Sequence, residues 1–176
     1  MAIFSKSLNK LLKHEGGYVD DVDDRGGATK FGITHKTLAK WRGETVDAED
    51  VKAMTVTEAS AIYQARYWDE MGLGGIVSQD LAGAVMDFGV NAGVRTSVKA
   101  LQRAANWVQM HRQRGEIEED GAMGPVTALF VNTTDFRALQ LKFFEERIRY
   151  YTAIARRRPA NRKFIYAWIT RSLDHV

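Results

Sequence analysis

With 176 residues, 45% apolar and 10% aromatic, the chain has ample material for a packed core in one domain or a two-lobed unit, which excludes a disordered or fibrous protein. It contains no cysteine, which excludes a disulfide framework and a thiolate metal site. The net charge of +3 is unevenly spread: residues 147–176 hold eight Arg and Lys against Asp174 alone, whereas residues 14–34 hold five acids against Arg25 and Lys30.

In chain order, the N-terminal stretch MAIFSKSLNKLLKHEGG is broken by polar residues every few positions, so it lacks the continuous apolar run of a signal peptide or a membrane span. The expectation is synthesis in the cytoplasm. Phe4, Leu8, Leu11 and Leu12 form the apolar stripe of a first helix, with Ser5 as its cap and Gly16-Gly17 as its stop. From there to Thr34 glycine and aspartate dominate, which predicts loop or a short β-hairpin. Thr55-Val56-Thr57-Glu58 has capping-box form ahead of a helix carrying Ile62, Tyr63 and Tyr67. Helical spacing resumes from Gln79 to about Trp107, with a break near Asn91-Ala92-Gly93, and again from Asp135 to Arg157. A last helix follows Pro159. The fold class is therefore mostly α, with a soft boundary near residues 93–96.

The stretch HEGGYVDDVDDRGGATKFGIT, residues 14–34, carries the chemistry. Glu15 is predicted at the C-terminal end of the first helix, where unpaired carbonyls disfavour an anion by roughly 0.3–1 kcal/mol. A carboxyl with a raised pKa is what a general acid needs, although a frayed, exposed glutamate would look the same in sequence. Asp20, Asp21, Asp23 and Asp24 offer a second, ionised carboxylate, and such a pair is the recurring arrangement for breaking a glycosidic bond. A calcium loop fits poorly: read from Asp21, the EF-hand register puts Arg25 at its fifth position and Gly32 at its twelfth.

Glu15-Gly16-Gly17-Tyr18-Val19, Asp23-Asp24-Arg25-Gly26-Gly27, Thr29 and Gly32-Ile33-Thr34 closely resemble the signature of glycoside hydrolase family 108, the N-acetylmuramidase group that includes many phage endolysins. Tyr67-Trp68 and Asp87-Phe88-Gly89-Val90-Asn91-Ala92-Gly93 resemble its later blocks. Gln102-Arg103-Ala104, Asp120 to Thr127 and Phe164 to Arg171 resemble a peptidoglycan-binding region in the same order. The resemblance implies a lysozyme-like helical fold of two lobes around a cleft, with a catalytic region over 1–93 and a helical wall-binding region over 94–176 packed on it. It implies hydrolysis of the β-1,4 bond between N-acetylmuramic acid and N-acetylglucosamine, with Glu15 as general acid and Asp24 as second carboxylate. Thr34 would hold the attacking water, with Thr29 as the fallback for that role. Val22 and Arg25 stand where the family often has proline, which loosens the loop without touching the chemistry. The rival readings are a lytic transglycosylase and a non-catalytic wall-binding or structural phage protein.

Tyr18 is a candidate for stacking on a sugar, or for packing its own loop. Asp87 and Asn91, four apart, could share a helix face and bind acetamido or hydroxyl groups, or form a buried hydrogen-bonded network. Trp41, Trp68, Trp107 and Trp168 read as core. No cofactor or metal is expected, since His14, His35, His111 and His175 share no ligand spacing. The expected partner is the peptidoglycan glycan strand, with the basic C-terminal end drawn to an anionic envelope and a holin or secretion partner giving access. Nucleic acid is not expected, because the run Arg156 to Pro159 lacks interleaved aromatics. A monomer is expected.

Overall fold

The computed structural model describes residues 1–14, 17–18, 28–110 and 115–175. By their contacts these fall into two compact units, residues 8–66 and residues 1–7 with 67–176. Helix α1 spans Phe4–His14, so Ser5 lies inside it and is not its cap. An N-cap residue precedes the first helical residue with non-helical backbone, which is what lets its side chain reach the second or third amide of the helix.

In the unit of residues 8–66, a two-stranded antiparallel hairpin, β1 (Thr29–Lys30) and β2 (Ile33–Thr34), feeds directly into α2 (His35–Arg42). Gly43, with φ of +75°, ends α2 by donating its N–H to Ala39 O. Two short helices follow, α3 (Ala48–Ala53) and α4 (Val56–Tyr63). Asp47 and Asp50 make a reciprocal capping box on α3 that the sequence reading passed over. At α4 only half of the expected box forms. Thr55 accepts from the Glu58 N–H, but the Glu58 carboxylate is held instead by Arg42, whose Nε and Nη2 lie 2.8 and 2.9 Å from its two oxygens. This bidentate pair joins the end of α2 to the start of α4, and the Arg42 hydrogen bond lowers the Glu58 pKa. Leu11, Ile33, Leu38, Val51, Met54, Ile62 and Tyr63 make the apolar core. After Tyr63 the helix widens into a π-helical turn, Gln64–Asp69.

In the other unit, α5 (Gln79–Ala92) is capped by Ser78 and is buried on every side from Leu81 to Gly89. A helix that is apolar all round belongs inside a protein. Gly93, with φ of +93°, provides the predicted break, and α6 (Val94–Met110) follows at once. α7 (Pro125–Asn132), α8 (Phe136–Arg157) and α9 (Ile165–Leu173) complete the unit, with a 3-10 turn at Pro159–Phe164. Phe88 of α5 meets Phe143 and Tyr151 of α8 edge-on, with ring centroids 6.0 and 5.7 Å apart.

A row of buried amides on α6 holds the chain on both sides of α7. Gln102, Asn106 and Gln109 recur at helical spacing on one face. Asn106 pairs both ways with the Ile117 backbone, and Gln109 donates to the Thr134 hydroxyl. Gln102, fully buried, donates to Asp120 Oδ1 and Ala122 O and accepts from the Gly121 N–H. The Ala122 N–H and then Gln102 hold the Asp120 carboxyl below its usual range. Gly121 has a φ of +81°, and a Cβ there would lie 2.9 Å from the Arg95 carbonyl oxygen, a backbone atom that cannot turn aside. Gly121→Ala is therefore expected to destabilise the protein by about 1–3 kcal/mol, from the left-handed backbone and the clash together, read as a lower urea midpoint.

Candidate active site

The threonines of the candidate site are set by the hairpin. Ile33 is buried, and pairing Lys30 with Ile33 fixes a two-residue loop, Phe31-Gly32. Both loop residues have positive φ, 52° and 73°, the type I′ geometry whose twist matches the strands. Glycine accepts this conformation readily; phenylalanine does so at a cost of order 1–3 kcal/mol. The strain is held by Tyr63 of α4, whose hydroxyl donates to Phe31 O at 2.6 Å.

This register places Thr29 directly opposite Thr34. The next hydrogen-bonded rung is His35 N–H to Ala28 O, so the threonine pair is the close, non-hydrogen-bonded kind, with Cα atoms about 4.5 Å apart and both side chains on one face. Thr34 is also the N-cap of α2. Its Oγ1 accepts from the Thr37 N–H at 3.3 Å and lies 3.2 Å from the Thr37 hydroxyl. A capping oxygen keeps its own proton, so Thr34 can still donate to a water or a sugar oxygen. The two threonines that the sequence offered as alternatives for one role are thus neighbours. Tyr18 is half-buried, while Glu15 and Asp24 lie outside the described residues.

Asp87 and Asn91 belong to the other unit. Asp87 is 2% exposed, and its carboxylate accepts from Arg147 Nη2 of α8 and Arg171 Nε of α9, each at 2.7 Å. Of the two readings left open in sequence, this is the geometry of a buried network. Arg147 is itself 1% exposed and sits over the Phe88 ring, 5.4 Å from its centroid. His175 Nε2 approaches Asp87 Oδ2 to 3.8 Å. Burial alone would push the Asp87 pKa up, but His175 and the two guanidinium groups hold it well below the usual carboxylate range. The exposed Asn91 donates from Nδ2 to the Asp87 carbonyl in the last turn of α5, which leaves its own oxygen able to accept.

Trp68 is buried, as the sequence suggests, but Trp107 is 44% exposed and departs from the core reading of the tryptophans. Its indole lies on the solvent side of α6, beside Lys142 of α8. Among the described residues no group of three His, Asp or Glu side chains could hold a metal ion.

Comparison with known proteins adds to this geometry. Residues 8–93 match the family described as Glycosyl hydrolase 108, and residues 96–173 match the family described as Predicted Peptidoglycan domain. No curated protein matches the chain in sequence. Among solved structures, "Structure of Brucella abortus SagA" superposes with a TM-score of 0.75 at 27% identity, covering 98% of this chain and 94% of that one.

The Asp87 network has a pH signature. A carboxyl whose pKa is lowered by folding adds stability above its unfolded value, near pH 4, and loses it as pH falls through the lower native value. Asp87→Asn should cost roughly 3–5 kcal/mol at pH 7, because it strands the buried Arg147, and the variant and the native protein should converge in urea-unfolding stability as pH drops from 4 to 2.

Proposed function

We propose, from the premise that the chain belongs to the Glycosyl hydrolase 108 family over residues 8–93 and is a glycoside hydrolase that degrades peptidoglycan, that it is a muramidase. It cleaves the β-1,4 bond between N-acetylmuramic acid and N-acetylglucosamine, with Glu15 as the general acid. The observation that carries this reading is that residues 8–93, a stretch that includes Glu15 and the hairpin setting Thr29 opposite Thr34, match the family described as Glycosyl hydrolase 108. A neutral carboxyl is the form that can donate a proton to the leaving oxygen, the role Glu15 takes in this reading.

In the mechanism Glu15 protonates the glycosidic oxygen as positive charge builds on the muramic ring. Asp24 stabilises that charge or orients a water, and the hydroxyl of Thr34, or of Thr29 opposite it, holds that water. The energetic logic is differential: a proton donor and an anion contribute most where the bond is breaking and the ring is becoming cationic. Residues 1–93 supply this chemistry and residues 94–176 hold the wall. The protein is made in the cytoplasm and reaches the wall through a membrane-disrupting or secretion partner.

The C-terminal end adds attraction to the envelope. Arg156, Arg157, Arg158, Arg162 and Lys163 are all exposed, clustered where α8 gives way to the 3-10 turn, with no acidic partner among the described residues. A field from five such charges reaches about 8 Å at physiological ionic strength and shrinks to about 3 Å at 1 M.

Two measurements test this reading. Glu15→Gln keeps the shape and removes the donatable proton, so it should clear permeabilised Gram-negative cells at least about a hundredfold more slowly than the native protein. Clearing at the native rate would remove Glu15 from the mechanism, and anhydro-muramic ends in the digest would make the enzyme a transglycosylase. The native rate of clearing should also fall steadily between low and physiological salt, whereas a flat profile would dismiss the envelope attraction.

A further inference from the structure

Helix α9 turns back along α8: the Tyr151 and Trp168 rings stack with centroids 5.0 Å apart, and Gln140 of α8 reaches the His175 carbonyl just past the end of α9. The connection between the two helices carries the exposed cations Arg156, Arg157, Arg158, Arg162 and Lys163. Beyond it, the residues that α9 exposes are Tyr166, Ala167, Thr170 and Leu173, none of them charged. Tyr166, at 81% exposure, is the most open aromatic residue among those described. A surface helix ordinarily turns its charges to water, whereas α9 points its own arginine, Arg171, inward to Asp87.

We propose that this helix connection and the outer face of α9 lie on an anionic phospholipid bilayer as a peripheral contact; the proposal deepens the envelope attraction of the reading above and rests on it. Two chemistries meet on this surface, and a bilayer supplies a partner for each. Lys and Arg are drawn to the anionic headgroups, while a tyrosine sits well at the boundary, its ring towards the acyl chains and its hydroxyl towards water. The Phe164 ring is already engaged, with Lys163 over it at 5.0 Å and Trp168 beside it at 5.6 Å, so Tyr166 is the ring that enters. Nine residues are well short of the roughly 20 that a spanning helix needs, so α9 rests on the bilayer rather than crossing it. Other occupants satisfy less of the surface. A polyanion without an apolar layer would take the cations and leave Tyr166 in water, and a second copy seated here would bring like charges together.

The test uses the full native chain and vesicles, made either of phosphatidylcholine alone or of phosphatidylcholine and phosphatidylglycerol in equal parts. The chain should sediment with the mixed vesicles and stay in solution with phosphatidylcholine alone. Arg157→Gln, Arg158→Gln and Lys163→Gln together should lower the partition coefficient at least about tenfold. Tyr166→Ser should lower it about threefold and Tyr166→Trp should raise it, and all these side chains are exposed, so the variants should fold as the native chain does. Failure to sediment with the mixed vesicles overturns the proposal. So does unchanged partition of Tyr166→Ser, which would leave a patch of charge alone, or a lipid-free dimer of the native chain that Tyr166→Ser abolishes. The vesicles hold no glycan, so the two readings fail separately: a chain that binds them but releases no reducing ends from the wall loses the hydrolase reading, and one that cuts the wall but ignores the vesicles loses this one.

Discussion

One carboxylate bonds three helices together. Asp87 lies in the middle of α5, and its oxygens are taken by Arg147 of α8 and Arg171 of α9. A buried ion pair of this kind adds little net stability against an apolar replacement, because desolvating the charges offsets most of their attraction. Its contribution is to orientation. Only one rotation of α5 points Asp87 at both guanidinium groups, and that rotation sets which residues of the buried stretch face Phe143 and Tyr151. The C-terminal residues are drawn into the same arrangement through His175, whose backbone carbonyl accepts from Gln140 of α8.

The same economy governs the region after α6. Residues 115–124 contain no regular structure of their own, yet two amide side chains on one face of α6, Gln102 and Asn106, and the close approach of Gly121 to Arg95 give them a fixed path. Irregular backbone near a core needs its hydrogen bonds satisfied, and Gln102 and Asn106 do this where a strand would have used a neighbour. The result places Glu119 3.9 Å from Arg103, which also reaches Glu146 of α8 at 3.6 Å, so these charge contacts follow from the requirement to satisfy a loop.

In the smaller unit the constraint is a turn. Phe31 occupies a conformation that glycine or asparagine takes more readily, and the Tyr63 hydroxyl fixes its carbonyl. The tight loop forces Thr29 and Thr34 into register, and the second of them starts α2 by capping it. Strain in the turn, cap and candidate water-holding hydroxyls therefore belong to one short piece of chain. Such coincidence is the usual company of a working site, where local cost is tolerated because surrounding packing over-determines it.

Sequence alone determined the helical class, the break near Gly93, the long helix from about Asp135 to Arg157, and the acidic, glycine-rich stretch whose residue order resembles the family that residues 8–93 match. These are readable because apolar periodicity, caps and turn residues act over a few positions. It also suggested Ser5 as a cap and a full capping box at Thr55, both local rules overridden, the first by where the helix starts and the second by Arg42 reaching across sixteen residues to take Glu58. Tertiary structure alone decided that Asp87 meets two arginines sixty and eighty-four positions away, and that Trp107 stays at the surface while Trp68 is buried. The pairing of Thr29 with Thr34 hung on a Phe-Gly turn that no common turn signal announces. Partners so far apart leave no periodic trace, because their pairing depends on how helices rotate and pack rather than on how residues are spaced.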